Sequence, residues 1–337
     1  MKKILVTGHL GYIGAHLVEL LQASGYFVVG CDLNLFEGCA WEKIPKPDLE
    51  MLRDFRELEI EDLEGLEAVM HLAAISNDPM GDLDPSITYS INREGSISLA
   101  AKAKKAGVPL FLFASSCSIY GKGEKLDINE SGITSPLTPY ARSKIEAEAA
   151  LIALSDEHFK TILLRNATAY GTSPSLRIDL VVNNLLACAV SENLLRVMSD
   201  GSPWRPLIHC RDIARAFLAF FETPPPESFL VVNVGANHEN YQVKDIVNKI
   251  HQRLPDTAVI FTGEVGQDPR NYRVNFDLLG KVLPHFHLEY HLDKGIEELL
   301  EKYIKYKFSI EDFHGDQFVR LRTLKKSLDR LVSYAFS

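Results

Sequence analysis

The sequence predicts an α/β fold, a doubly wound parallel sheet followed by a smaller C-terminal α/β domain. Three observations carry this reading. Short β-branched runs alternate with helical patterns through the first half of the 337 residues, as expected of βαβ units whose sheet is covered on both faces. A glycine-rich turn joins the first of those runs to the first helix. Beyond about residue 171 the alternation stops.

ILVTG (4–8) reads as the first strand and IGAHLVELLQASG (13–25) as an amphipathic helix closed by Gly25. FVVGCD (27–32) is the second strand, and Asp54 stands where a third should end. LEAVMHLAA (66–74) supplies another, SITYSINREGSISLAAKAKKAG (86–107) a long helix, and PLFLFASS (109–116) a further strand. PYARSKIEAEAALIALS (139–155) is helical, with Pro139 suited to its first turn. KTILLRNATAYG (160–171) ends the regular series.

In the second half, DIARAFLAFFET (212–223) and YQVKDIVNKIHQRL (241–254) read as helices flanking the strand FLVVNVG (229–235), with PPP at 224–226 as a linker. The expected division is 1–171, with some later segments returning to it, and 172–337, a substrate domain with a helical tail. The smaller domain would close over the sheet's C-terminal edge, where ligands bind in open α/β sheets. The tail's RLRTLKKSLDR reads as a solvated basic face.

Thirty-six Lys and Arg stand against 45 Asp and Glu, giving a formal charge of −9. Such a field repels a phosphate backbone, so nucleic acid is excluded as a partner, although a local basic site for one small anion stays open. Cys31, Cys39, Cys117, Cys188 and Cys210 are widely spaced, with no C-x-x-C pair, which predicts a reduced cytoplasmic chain with no metal site. MKKILVTG reaches glycine too early for a signal peptide, and LVVNNLLACAV is interrupted by Asn183 and Asn184. No membrane partner is expected.

TGHLGYIG places Gly8, Gly11 and Gly14 at the strand-to-helix junction. Gly8 can make the tight turn, Gly11 lets the backbone approach a pyrophosphate, Gly14 lets helix and strand pack closely, and the helix N-terminus faces the anion. His9, inside this turn, reads as a loop side chain. Asp32 ends the second strand, where its carboxylate can accept the adenosine ribose hydroxyls and repel a 2′-phosphate, so NAD is preferred to NADP. Asp54 could hold the adenine amino group or simply cap a helix.

Tyr140 and Lys144 lie four apart on one helix and project from the same face. Tyr303 and Lys307 repeat the spacing in the tail, where a solvated helix is expected. Position distinguishes the first pair, because Ser115 and Ser116 end the strand just before it, at the sheet edge that also bears the glycine turn. A free phenol ionises near pH 10, so use as a base at neutral pH needs about 4 kcal/mol of preferential stabilisation of phenolate. Lys144 and an oxidised nicotinamide supply positive charge. Ser116 would hydrogen-bond the same substrate oxygen.

The ordered motifs TGHLGYIG, Asp32, HLAA, INREGS, SSCSIYG, PYARSK, LRNATAYG and WRPLIHCRDIA resemble the extended short-chain dehydrogenase/reductases, and among them the NAD-dependent sugar-nucleotide epimerase/dehydratases. The resemblance runs to about residue 300. It implies a Rossmann domain, tightly held NAD, a nucleotide-diphosphate sugar substrate, and a homodimer formed through the long helices, here 86–106 and 140–155. The catalytic Ser/Thr, Tyr and Lys fall on Ser116, Tyr140 and Lys144. Tyr12, Ile13, Leu72, Ala73, Ala74 and Asn92 join the glycines, Asp32 and Asp54 as expected cofactor contacts. The phosphate-binding arginine of the R-x-x-I-H-V pattern falls on Arg205, and that of the G-D-x-R pattern on Arg270.

Departures from the family pattern narrow the reaction. The 4,6-dehydratases follow their catalytic Thr with Asp-Glu, whereas this chain has Cys117 and Ser118. Similar decarboxylases place a Glu at the second position, also missing here. Dehydration and decarboxylation are therefore disfavoured, and epimerisation at C4 is the simplest reading. Cys117 is left as a substrate contact and possible acid/base in C3 or C5 epimerisation, or as a small packing residue. Thr168 replaces the usual Asn of the R-x-x-N-x-x-G run, and Arg177 with Asp179 either lines a different sugar pocket or forms a surface pair. The alternatives are a sugar-nucleotide 4-dehydrogenase, a keto-sugar reductase and a non-catalytic dinucleotide sensor.

Overall fold

The computed structural model describes residues 1–76, 84–122, 127–263 and 270–326. Its strands run in chain order as β1 (Lys3–Thr7), β2 (Phe27–Cys31), β3 (Leu49–Met51), β4 (Ala68–His71), β5 (Leu110–Ser116), β6 (Lys160–Asn166), β7 (Thr168–Tyr170), β8 (Leu194–Val197), β9 (Trp204–His209), β10 (Phe229–Val234), β11 (Asn240–Gln242) and β12 (Ala258–Phe261). Seven make one parallel sheet in the order β10-β6-β5-β4-β1-β2-β3. Strand order reverses between β1 and β4, which makes the crevice beyond their C-terminal ends the expected ligand site.

Burial on both faces explains the near-continuous apolar strands. Ile4 and Val6 of β1 join one core with Leu17, Val28 and Phe217, while Leu5 between them joins the other with Val29, Phe111 and Leu151. That division follows from the two-residue period of a strand. Helices Gly14–Ala23 and Cys210–Glu222 cover the first face, and Ser96–Lys105 with Pro139–Leu154 cover the second.

Three details refine the sequence reading. The run 160–171 is two strands. It leaves the main sheet after Asn166, and Thr168–Tyr170 pairs with β9 in a second sheet of order β11-β9-β7. FLVVNVG does not belong to the smaller unit, because β10 pairs in parallel with β6 from Phe229↔Thr161 to Val234↔Asn166 and forms an edge of the main sheet. The long helix begins at Pro85 and includes a π turn over Ser90–Gly95, which contains Asn92.

The tail also departs from expectation. Tyr303 is fully buried and its hydroxyl donates to the Asn183 carbonyl at 3.1 Å, so that helix is packed, not solvated. It belongs to a third core with Tyr170, Leu186, Ile246 and Phe318. Arg320 and Leu324 of the basic run are buried too, and its last residues lie outside the described chain. No helix among the described residues is long and apolar enough to cross a membrane.

Candidate active site

A cavity of about 1140 Å³ opens beyond β1 and β4 and extends to β7 and β9. At its floor, Gly8 has φ +75°, and a Cβ there would lie 2.8 Å from the Ala73 nitrogen. A Cβ on Gly14 would strike the Gly8 carbonyl oxygen. Both positions therefore require glycine, and the backbone of 8–14 comes close to the cavity. Helix Gly14–Ala23 has no side-chain cap and no acidic residue in its first turn. The positive end of its dipole suits a diphosphate. Asp32 takes the Leu10 N–H at 3.2 Å and the Asn34 N–H at 2.9 Å, which fixes its carboxylate in the cavity wall where a ribose would be met. These residues fit NAD.

Tyr12, Ile13, Leu72, Ala73 and Ala74 line the same cavity. The Tyr12 hydroxyl faces away from any ligand, donating to the Gly171 carbonyl at 2.6 Å. Asp54 also lines the cavity, but both its carboxylate oxygens bond Arg56 and one caps the following turn through the Arg56 N–H at 2.9 Å. The capping alternative is thus realised. Asn92 is fully buried behind the wall: Oδ1 accepts from the Ile75 N–H at 2.8 Å, and Nδ2 donates to the Ile75 carbonyl at 2.9 Å and to Ser143 Oγ at 3.3 Å. It braces the strand-end loop from behind and does not line the cavity. His9 is buried, with Nε2 3.1 Å from Glu50.

Ser116 ends β5 and faces the cavity. Its Oγ accepts from the Ser118 N–H at 3.1 Å, leaving its own proton for a substrate oxygen. Thr138 caps helix Pro139–Leu154, accepting from the Ala141 N–H at 3.2 Å, and so sets Tyr140 in the first turn at the cavity. One turn on, Lys144 is 2% exposed. Its Nζ donates to the Ala114 carbonyl at 2.8 Å and lies 4.5 Å from the Phe113 ring centre and 5.9 Å from that of Tyr140. Burial pushes its ammonium down to about 7 against the opposing pull of Glu148. Burial, then the Lys144 charge, holds His71 down at about 3, so His71 is neutral between Thr7 and Ser96.

The Lys144 position has a measurable cost in stability. Its folded pKa lies below the ordinary 10.5, so between about pH 7 and 10.5 the unfolded chain binds more protons and stability rises with pH. In dinucleotide-free protein, Lys144→Met is expected to raise the melting temperature near pH 7, with the gain shrinking toward pH 10. Thermal unfolding across that range is the check, and a gain independent of pH would contradict it.

Cys117 is a correction to the expected site. It does not line the cavity; its side chain is 1% exposed and its Sγ donates to the Arg165 carbonyl at 3.1 Å. Burial pushes the thiol far up, which leaves packing as its role. Thr168, Arg177, Arg205 and Arg270 all line the cavity. Arg177 is a buried cavity-wall residue, not part of a surface pair. Its Nε and Nη2 reach Asp179 at 2.9 and 2.7 Å and its Nη1 reaches Ser76 at 2.9 Å. Burial opposes its charge, but Asp179 outweighs that, with Tyr12 and Tyr140 adding smaller pulls. Arg205 is buried, with Nη1 on the carbonyls of Trp204 at 2.8 Å and Arg270 at 2.6 Å. Ser118, beside the missing dehydratase carboxylates, lines the cavity with its Oγ unpartnered; the sequence reading gave it no role.

The NAD dependent epimerase/dehydratase family model matches residues 4–235. The UDP-glucose 4-epimerase of Rhizobium meliloti (strain 1021) is 35% identical over 181 residues, which is 52% of this chain but only 54% of that protein. The UDP-glucose 4-epimerase of Lacticaseibacillus casei is 26% identical over 313 residues, covering 83% of this chain and 94% of that one. Among solved structures, an NAD-dependent NDP-hexosamine 5,6-dehydratase, TunA, involved in tunicamycin biosynthesis, superposes with a TM-score of 0.81 at 26% identity, over 90% of this chain and 98% of that one. The UDP-glucuronic acid 4-epimerase of Bacillus cereus, in complex with UDP-glucuronic acid and NAD, does so at 0.77 and 25%, over 90% and 99%. With its glycine turn, the Asp32 carboxylate and the Tyr-Lys pair facing one cavity, and with more than half its length matched, the chain belongs to the NAD-dependent epimerase/dehydratase family, enzymes of the extended short-chain dehydrogenase/reductase type.

Proposed function

We propose that this enzyme is an NAD-dependent sugar-nucleotide epimerase that inverts C4 through a transient 4-keto sugar. The observation that carries the reading is the composition of one cavity wall: Ser116, Tyr140 and Lys144 face it together, while the two positions after Ser116 hold no carboxylate. The relatives named above as UDP-glucose 4-epimerases support it.

Bound NAD supplies the acceptor, and then the donor, of the hydride at C4. Tyr140 takes the proton of the C4 hydroxyl and returns it. Lys144 stabilises the phenolate by its charge, and Ser116 donates a hydrogen bond to O4 so that the C4 hydrogen stays aligned. Without a carboxylic acid beside Ser116, nothing there protonates a leaving hydroxyl, which separates this site from a dehydratase. On this reading Arg205 and Arg270 hold the substrate diphosphate, and Thr168 and Arg177 contact the sugar. The same reading includes a cytoplasmic homodimer paired through helices Pro85–Lys105 and Pro139–Leu154.

The test is incubation of the enzyme with UDP-glucose, UDP-N-acetylglucosamine or UDP-glucuronic acid, followed by proton NMR of the anomeric region. One sugar nucleotide is expected to equilibrate with its C4 epimer, with no accumulation of reduced nicotinamide. Net reduced nicotinamide would turn the assignment to a dehydrogenase, and a product lighter by water to a dehydratase.

A further inference from the structure

The C-terminal segment crosses back to the loop that follows Asp32. Trp41 of that loop meets Tyr303 and Phe318 edge-on, at centroid distances of 5.8 and 6.0 Å. Gln317 Nε2 donates to the Ala40 carbonyl at 3.2 Å, and Cys39 Sγ lies 3.4 Å from Thr323 Oγ1. These contacts fix Arg320 in the cavity wall at 4% exposure. Its Nη2 donates to Ser175, to Oγ at 2.7 Å and the carbonyl at 3.3 Å, and its guanidinium lies 4.7 Å from the Phe36 ring centre.

Among the described residues that guanidinium has no counter-ion. Its Nε has no partner, and among the described residues no carboxylate lies within ion-pair distance of it. The nearby Arg177, by contrast, pairs with Asp179 at 2.7 Å. Burial first, and Arg177 second, push Arg320 down to about 10, with Asp179, Cys39 and Asp32 pulling the other way. An unpaired buried cation is expensive, and an anion entering the cavity relieves that cost. Arg205 and Arg270 stand elsewhere on the wall, by β9, whereas Arg320 shares its stretch with Phe36 and feels Asp32.

We infer that Arg320 binds the diphosphate of the bound dinucleotide, so that the C-terminal segment is a strap holding the cofactor. This rests on the cavity being the dinucleotide site. The glycine turn supplies only backbone N–H groups and a dipole, while Arg320 supplies a full charge that can also make charge-assisted hydrogen bonds.

The test is calorimetric titration of dinucleotide-free, full-length protein with ADP and with adenosine, which lacks the diphosphate. Arg320→Gln is expected to weaken ADP at least about tenfold and to leave adenosine within about twofold. ADP unchanged, or ADP and adenosine weakened in parallel, would overturn the inference. If wild-type protein binds no ADP, the dinucleotide reading itself fails and the inference falls with it. If Arg320→Gln does not yield folded protein, Arg320→Met, which keeps the side chain's bulk without the charge, decides on the same terms: ADP weakened with adenosine spared supports the inference, and ADP unchanged or both weakened alike overturns it.

Discussion

Tyr140→Phe is expected to lower kcat by about 10²–10⁴-fold, the range for loss of a positioned general acid/base, with little change in substrate KM or in the amount of NAD retained. The substitution removes one oxygen at the cavity wall and leaves the ring, the Thr138 cap and the Lys144 contact with the Ala114 carbonyl in place. A fall confined to kcat separates loss of the proton acceptor from loss of binding. The pH profile provides a second readout, since an identical dependence of kcat on pH in the two proteins would argue against proton transfer by Tyr140. Turnover within threefold of wild type would remove Tyr140 from the chemistry.

Glu148→Ala is expected to cost about 3–5 kcal/mol of stability, because it strands a buried guanidinium. Glu148 and Arg165 have side-chain exposures of 2% and 7% and meet through three contacts of 2.7 to 3.1 Å. Ser115 Oγ donates to the same carboxylate at 2.5 Å. Arg165 Nη1 also reaches the Tyr120 hydroxyl at 3.1 Å and the Glu130 carbonyl at 3.0 Å, and Tyr120 donates to Asn233 Oδ1 at 2.7 Å. The network thus ties the Tyr140 helix to β5, β6 and β10. Urea unfolding is the check. Glu148→Met with Arg165→Met should cost less than the sum of the singles, since neither charge is then left alone. A single-variant loss below about 1 kcal/mol would show that water reaches Arg165 and that the network is not a closed unit. Glu148 also lies one turn from Lys144 and favours its charge, so the variant should lose activity beyond its loss of stability.

How much of this could be read from the sequence depends on whether a residue acts locally or through distant partners. The glycine turn was legible because Gly8 and Gly14 answer to backbone collisions within a few residues. The Tyr140–Lys144 pair was legible because four-residue spacing fixes a shared helix face. Cys117 was not: adjacent to Ser116, it points to the opposite side, and only the three-dimensional path shows its thiol on the Arg165 carbonyl. Asn92 carries a family motif, yet its amide is consumed by Ile75 and Ser143, partners 17 and 51 residues away. The tail misled because a basic run scores as solvated, whereas Arg320 is drawn inward by Ser175, 145 residues earlier.

The placement of β10 beside β6 bears on the order in which the chain matures. Until residue 234 has left the ribosome, β6 presents a bare row of hydrogen-bonding groups in an otherwise assembled sheet, the kind of template that recruits strands from other molecules. Everything between β6 and β10, including β7 and β9 of the cavity wall, must be made before β10 replaces β6 as the outermost strand. Premature termination within this stretch therefore leaves the long, apolar β6 as a template for pairing with other chains.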